Sequence, residues 1–404
     1  MDKYKFVSVG GGMVAGYCLK EMAKLGLASG DACLISADDV LPYQRPPLSK
    51  DFLEDTKPLE KIFVNKDSFY EESGIAVRLN TSVTALDPAG HSVQIGDERI
   101  GYEKLILATG SRVRHLGVPG EDLDGVFSLR TLDDCVRLKA AAAHARRLVM
   151  IGGGFIGTEV AARLQERGLQ TTMVFREQRL LDFFFPPEIT DLYEGRYRDN
   201  GVRLLPQSEP AEFVGDGKLQ AVRLKSGETI ETDIALVAAG VTPNLELAQA
   251  AGLQVDRGVI VNELLQTSDP DIVAGGDIIA FPDPYFGGLR RVEHEEHARR
   301  SGRHLARVLL GEAGPYDYLP MVWSDVFDLS WEFWGEWRGA DRVVYRGDVP
   351  GADFGVWWLK EGKVLGAMIT ENRHDAEADI AQRWIKEHAA VEAAQLEDAS
   401  RPLE

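Results

Sequence analysis

One glycine-bounded pattern occurs twice in this 404-residue chain, and it constrains the fold more than any other feature. In the first copy the run Lys5 to Val9 reads as a strand and Gly10-Gly11-Gly12-Met13-Val14-Ala15-Gly16 as a turn. The stretch through Met22 and Leu25 then reads as a helix closed by Gly26, and Ala32-Cys33-Leu34-Ile35 as the next strand, with Asp38 just beyond it. Each small residue has a steric reason. Gly10 allows the tight turn, Gly12 lets the backbone approach a pyrophosphate, and Ala15 keeps the helix close to the strand. The anion then rests on the helix N-terminus, where unpaired N–H groups converge. The second copy runs from Leu148–Ile151 through Gly152-Gly153-Gly154-Phe155-Ile156-Gly157, a helix through Leu164 that ends near Gly168, and a strand Thr171 to Phe175. A lone Gly-x-Gly-x-x-Gly is weak evidence, because glycine turns precede helices for purely structural reasons. Two copies, each in strand–turn–helix–strand context, predict two Rossmann-like dinucleotide-binding domains in an α/β fold.

Three more segments fit that plan. Leu105 to Gly110 is a strand ending in the small residues Ala108-Thr109-Gly110, and Leu236 to Asn244, through Gly240, repeats the design. Ile272 to Asp277 delivers one carboxylate after two glycines, where it can accept hydrogen bonds from sugar-like hydroxyls. After residue 322 the composition shifts, since all seven tryptophans lie in the last fifth of the chain. That marks an α+β C-terminal domain, with strands expected at Ser330–Phe333, Arg342–Tyr345, Gly355–Lys360 and Val364–Thr370 and a helix over Asp375–Lys386. The small, charged tail from Ala389 is expected to fray. The expected boundaries are 1–112 and 246–322 for a discontinuous first domain, 113–245 for an inserted second, and 323–404 for the third.

Charge narrows the function. With 45 Lys+Arg against 64 Asp+Glu, the net charge of −19 repels phosphate backbones and anionic membranes, so nucleic-acid binding and electrostatic membrane attachment are excluded as leading readings. No apolar run approaches the ~20 residues of a membrane-spanning helix, and the N-terminus lacks the pattern of a secretory signal, so a cytoplasmic location is expected. The three cysteines, Cys18, Cys33 and Cys135, are too widely spaced for a dithiol or a metal-ligand pattern.

The order of glycine motif, Pro42-Tyr43-Gln44-Arg45-Pro46-Pro47-Leu48-Ser49-Lys50, Ala-Thr-Gly, second glycine motif, Ala274-x-Gly276-Asp277 and Val292-Glu293-His294 resembles the FAD- and NAD(P)H-dependent pyridine-nucleotide oxidoreductases, which have a glutathione-reductase-like fold. Within them the chain looks like the branch holding ferredoxin reductases, apoptosis-inducing factor and monodehydroascorbate reductase. The last of these is also matched by Tyr193-Glu194-Gly195-x-Tyr197, Arg290 to Arg299, Tyr316-Asp317-Tyr318-Leu319-Pro320 and Phe327 to Trp331.

The resemblance implies roles. FAD would take Gly10, Gly12, Ala15, Asp38, Ala108, Gly110 and Asp277, with Arg45 and Arg130 at its phosphates or ring edges, Val83 at its adenine, and Glu293 and His294 nearby. The nicotinamide nucleotide would take Gly152, Gly154, Phe155, Ile156, Glu177 and Gly240. Lys50 and Glu159 would pair beside flavin N5, the lysine stabilising the anionic reduced flavin and the glutamate orienting it. Outside that likeness Lys50 reads as a solvated loop lysine and Glu159 as a helix residue near a dipole end. The common acid position after Val174 holds Phe175, but the resemblance to monodehydroascorbate reductase places the acid two residues later, at Glu177. An acid there implies NADH over NADPH, because a carboxylate bonds the ribose 2′-OH and repels a 2′-phosphate. Arg176 beside it pulls the other way.

Without a dithiol, electrons leave the flavin directly. The expected acceptor is a small molecule, monodehydroascorbate radical, with the iron–sulfur centre of a small ferredoxin, or an apoptosis-inducing-factor-like slow redox role, as alternatives. Arg299, His294 and Trp323 are the expected acceptor-side residues. Arg299 falls on the substrate-binding arginine of monodehydroascorbate reductases, whereas Trp323 stands where those enzymes have Tyr and ferredoxin reductases have Trp. On the same helix Glu295 with Arg299 and Glu296 with Arg300 have the spacing of i,i+4 pairs, and Arg303 and Arg307 read as structural charges. A monomer or homodimer is expected.

Overall fold

The computed structural model describes residues 1–404 and divides into two compact units. The first comprises Met1–Pro46, Lys57–Arg112 and Thr242–Pro320, and the second Pro47–Thr56, Val113–Val241 and Met321–Glu404.

The first unit is built on a seven-stranded sheet. Strands Ala76–Arg78, Ala32–Ile35, Asp2–Val9 and Glu98–Leu107 lie side by side in parallel, in that order. Phe6 to Val9 is apolar except for Ser8 and buried on both faces, as a central parallel strand must be. Glu98–Leu107 serves two partners in succession. Its first half pairs antiparallel with Ser92–Ile95, and its last three residues pair in parallel with Ile272–Ala274. This register delivers Val9, Ile35, Leu107 and Ala274 to one sheet end, where ligands of open α/β sheets bind. Helix Met13–Lys24 packs on Glu295–Leu309 at a backbone approach so close that a Cβ on Gly302 would lie 2.5 Å from the Val14 carbonyl oxygen.

The second unit repeats the parallel design with five strands, in the order Arg203–Leu205, Gln170–Val174, Arg147–Ile151, Ile234–Val237 and Val126–Ser128. It also holds a five-stranded antiparallel sheet, ordered Met321–Val326, Leu329–Gly335, Lys363–Thr370, Asp353–Lys360 and Arg342–Asp348, with helix Glu371–Glu387 against it. The strand Met321–Val326 is not legible in the sequence, because Met-Val-Trp-Ser-Asp-Val carries no clean alternation. The segment Pro47–Thr56 belongs to this unit through specific ties. The Cys135 thiol donates to the Leu48 carbonyl at 3.2 Å, and Lys139 pairs with Asp55 at 2.5 Å.

The expected fraying of the tail does not occur. Residues Ala393–Glu397 form a short helix with Leu396 fully buried, and the buried Arg346 guanidinium donates to the carbonyls of Leu396, Asp398 and Arg401. Composition hid this, because one buried arginine satisfies carbonyls that a polar tail would otherwise leave to water.

Candidate active site

Each glycine turn separates the glycine that the fold needs from the one a ligand needs. Gly10 has φ of 110°, and a Cβ there would lie 2.1 Å from the Ala108 carbonyl oxygen, so only glycine lets the turn seat against the end of Glu98–Leu107. A Cβ on Gly12 would meet nothing within 4 Å. Helix Met13–Lys24 starts there without a side-chain cap or an acidic residue in its first turn, which leaves its first amides open to an anion. The second turn has the same division. Gly152 has φ of 118° with the Ala238 carbonyl oxygen 2.3 Å from its would-be Cβ, while Gly154 is open and precedes the uncapped helix Phe155–Glu166. These features fit the pyrophosphates of FAD and of a nicotinamide nucleotide.

Around the first turn the residues form two small clusters. Asp38 accepts from the Tyr43 hydroxyl at 3.3 Å and from the Asp39 amide, and the Arg45 guanidinium lies over the Tyr43 ring. Partial burial raises the Asp38 carboxyl above its usual range, against the pull of Arg45. At the sheet end, Ser111 donates to Asp277 at 2.9 Å, and Arg291 pairs with Glu293. His294 caps helix Glu295–Leu309, its Nδ1 accepting from the Glu296 amide. Ala15 and Ala108 are buried, and Val83 is half-buried against the core of this unit.

In the second unit Lys50 is buried, not solvated. Its ammonium lies 2.9 Å from Glu159 Oε1 and 3.1 Å from Asp325 Oδ2, with the Lys50 and Glu159 side chains only 7% and 6% exposed. Both oxygens of Glu159 have further donors. Ser49 gives its hydroxyl to Oε2 at 2.8 Å, and Ser324 gives its own to Oε1 at 2.7 Å. Asp325 is shared with Arg163, which also faces Glu54. The Trp323 ring, half-buried and outside the domain core, lies 4.8 Å from the Lys50 ammonium. Trp323 and Asp325 are two apart on one strand and therefore share a face, so one lysine meets both. The sequence alone does not single out Ser49, Ser324, Asp325 or Arg163 for this site, and the available signal is that Ser49 and Ser324 each adjoin a residue that it does.

Near the second turn Phe155 meets Phe183, Phe184 and Trp331 with ring centroids 5.7–6.0 Å apart. Ile156 and Phe183 are exposed, unusual for large apolar side chains, and the Trp337 indole N–H holds the Phe183 carbonyl at 2.9 Å. Phe175 is buried against Gly153, and the next two residues form an ion pair, Arg176 to Glu177 at 2.8 Å. The Arg130 amide donates to Asp134 at the capping box of helix Leu132–Ala142. Gly240 is exposed with φ of 92°.

On helix Glu295–Leu309 the pairing differs in part from the i,i+4 expectation. Glu296 takes both Arg299 and Arg300, so the partner of Arg299 lies three residues away. Arg307 pairs instead with Glu21 of the first glycine-turn helix at 2.8 Å.

All three cysteines are buried and free. Burial raises every thiol, Cys33 to about 11 and Cys135 to about 12, so none is a thiolate near neutral pH.

Residues 4–302 match the pyridine nucleotide-disulphide oxidoreductase family, and residues 321–404 match the reductase C-terminal family. Monodehydroascorbate reductase of Pisum sativum is 33% identical over 95% of this chain and 94% of its own length. The peroxisomal monodehydroascorbate reductase 4 of Arabidopsis thaliana is 36% identical over 91% and 79%, respectively. Among solved structures, the covalent putidaredoxin reductase–putidaredoxin complex superposes with a TM-score of 0.93 at 31% identity, covering 99% of this chain and 96% of that one. The ferredoxin reductase of the CYP199A2 system from Rhodopseudomonas palustris gives 0.92 at 32% identity, covering 99% and 98%.

Proposed function

This chain belongs to the pyridine nucleotide-disulphide oxidoreductase family, and from that premise we propose that it oxidises NADH through bound FAD and passes single electrons to a small organic radical of the monodehydroascorbate type. The observation that carries this reading is the buried Lys50–Glu159 pair in a chain whose three thiols are all buried. A family member without a usable thiol has no disulfide stage, so the acceptor draws on the flavin itself.

FAD, when bound, accepts hydride from the nicotinamide at N5 and can release the two electrons one at a time. The first glycine turn and Asp277 hold its pyrophosphate and ribityl chain, with Arg45, Val83 and Arg130 as further contacts. Lys50 supplies fixed positive charge for the reduced state. Glu159, held on both oxygens by serine hydroxyls and on one by Lys50, fixes the ammonium without a mobile carboxylate to reorganise. Gly152, Gly154, Phe155 and Ile156 receive the nicotinamide nucleotide. Glu177 favours NADH, and its pairing with Arg176 supports that preference by engaging the guanidinium that a 2′-phosphate would need. Arg299 and His294 serve the acceptor.

A second reading has its own observation. Trp323 lies beside Lys50, and an indole can neither accept a hydrogen bond nor relay a proton to an organic radical. Together with the two solved relatives, this favours an iron–sulfur protein as acceptor. The deciding experiment is stopped-flow reoxidation of the NADH-reduced protein by enzymatically generated monodehydroascorbate and by a [2Fe–2S] ferredoxin in parallel. Faster reoxidation by the radical supports the proposal, and faster reoxidation by the ferredoxin replaces it with the second reading.

A further inference from the structure

Helix Glu295–Leu309 lines a cleft of about 440 Å³ with Arg299, Arg300, Arg303, His304 and Arg307, facing the loop Glu312–Asp317. Like charges one turn apart destabilise a helix, so a row of arginines in a chain of net charge −19 needs a reason. Three of the four arginines have one within the protein: Arg299 and Arg300 close on Glu296, and Arg307 on Glu21.

Arg303 has none. Its guanidinium lies over the Tyr17 ring at 5.4 Å and makes no ion pair, although it is half-buried. A guanidinium over an aromatic ring donates no hydrogen bond to it, and its free N–H groups bond oxyanions in pairs. Arg307 adds a second cation one helical turn away, about 6 Å along the axis. The opposite wall is low in bulk, since Ala313 and Gly314 present almost no side chain. Its carboxylates are Glu312 and Asp317, of which Asp317 accepts from the Tyr285 hydroxyl. The four arginines thus outnumber the lining carboxylates, and the volume is that of a small-ligand site.

We propose that this cleft binds a compact polyanion, carrying carboxylate or phosphoryl groups about one helical turn apart, with Arg303 as its principal donor. It is a site additional to the two glycine turns; Arg299, assigned above to the acceptor, shares its lining, whereas Arg303 is not among the acceptor residues.

The test is isothermal titration of the FAD-loaded protein, saturated with NAD⁺ so that both glycine turns are taken, with citrate and with inorganic pyrophosphate. One ligand per chain is expected from at least one of them. Citrate alone would identify a carboxylate ligand and pyrophosphate alone a phosphoryl ligand. Arg303→Gln should weaken binding by about tenfold or more, and Arg303→Lys should also weaken it, because an ammonium keeps the charge and loses the fork. An unchanged flavin absorbance spectrum verifies that each variant is folded. Failure of both anions to bind at millimolar concentration, or binding to Arg303→Gln as tight as to the parent, overturns the proposal.

Discussion

Asp325 Oδ2 lies 3.1 Å from the ammonium of Lys50, which makes it a second carboxylate on a lysine already paired with Glu159. Two anions on one buried cation would be unfavourable by themselves, and Arg163 balances the pair by sharing Asp325. Lys50 is therefore held from two sides, and its charge is partly neutralised.

Replacing Asp325 by Asn removes one negative charge and leaves the Lys50–Glu159 pair in place. If the lysine faces the reduced flavin, the FAD midpoint potential rises by ~10–30 mV, the equivalent of about 1 kcal/mol for a two-electron couple. Lys50→Met should act differently, slowing flavin reduction by about 100-fold with FAD retained. It should also cost ~3–5 kcal/mol of stability, because the buried Glu159 carboxylate loses its ammonium. Potentiometric titration, stopped-flow reduction and urea unfolding measure the three effects. An unchanged reduction rate in Lys50→Met would remove the lysine from the flavin step.

The glycine turns predict paired outcomes. Gly10→Ala and Gly152→Ala place a methyl against a backbone carbonyl at a positive φ, so both should fail to fold or lose several kcal/mol. Gly12→Ala and Gly154→Ala have open space around the new Cβ. They should fold normally, the first losing FAD and the second raising KM for NADH by about tenfold while keeping FAD. Circular dichroism and bound-flavin absorbance distinguish these cases.

Glu177→Gln removes the carboxylate that a 2′-phosphate would meet and releases Arg176. The ratio of kcat/KM for NADPH to that for NADH should rise by ~10-fold or more. No change in the ratio would show that Glu177 does not contact the ribose.

His297 is fully buried, stacked on Phe281 with ring centroids 5.0 Å apart and with Nδ1 3.2 Å from the Tyr316 hydroxyl. Burial lowers its pKa to about 4. The unfolded chain takes this proton near pH ~6.5 and the native state does not, so the stability contribution is complete above that pH and is lost as pH falls toward 4. The loss is on the order of 2–3 kcal/mol by about pH 4. Urea midpoints across this range should fall more steeply for the parent protein than for His297→Gln.

Arg346→Ala should destabilise the second unit by ~1–3 kcal/mol, because it releases the carbonyls of the tail and leaves the buried Glu377 with Arg373 alone. Proteolysis should then cut within residues 389–404. Resistance of that segment would show that Leu396 and its packing hold the tail without the arginine.

The sequence by itself determined the two dinucleotide units, because a turn that must accept a positive φ and a close backbone approach tolerates only glycine, and that requirement is written locally. It also determined the C-terminal sheet, whose strands after Leu329 carry strong apolar and aromatic runs. Tertiary structure alone decided what the charged residues do. Glu159 and Lys50 are 109 positions apart, and their partners are Ser49, beside the lysine, and Ser324 and Asp325 from a third place in the chain. Arg307 passes over its own helix to reach Glu21, and Glu296, rather than Glu295, closes on Arg299. Spacing along one helix bounds which pairs can form. Which of them do form, and whether an arginine such as Arg303 is left without an acceptor, depends on the carboxylates that distant segments bring to it, and only the packed chain sets those distances.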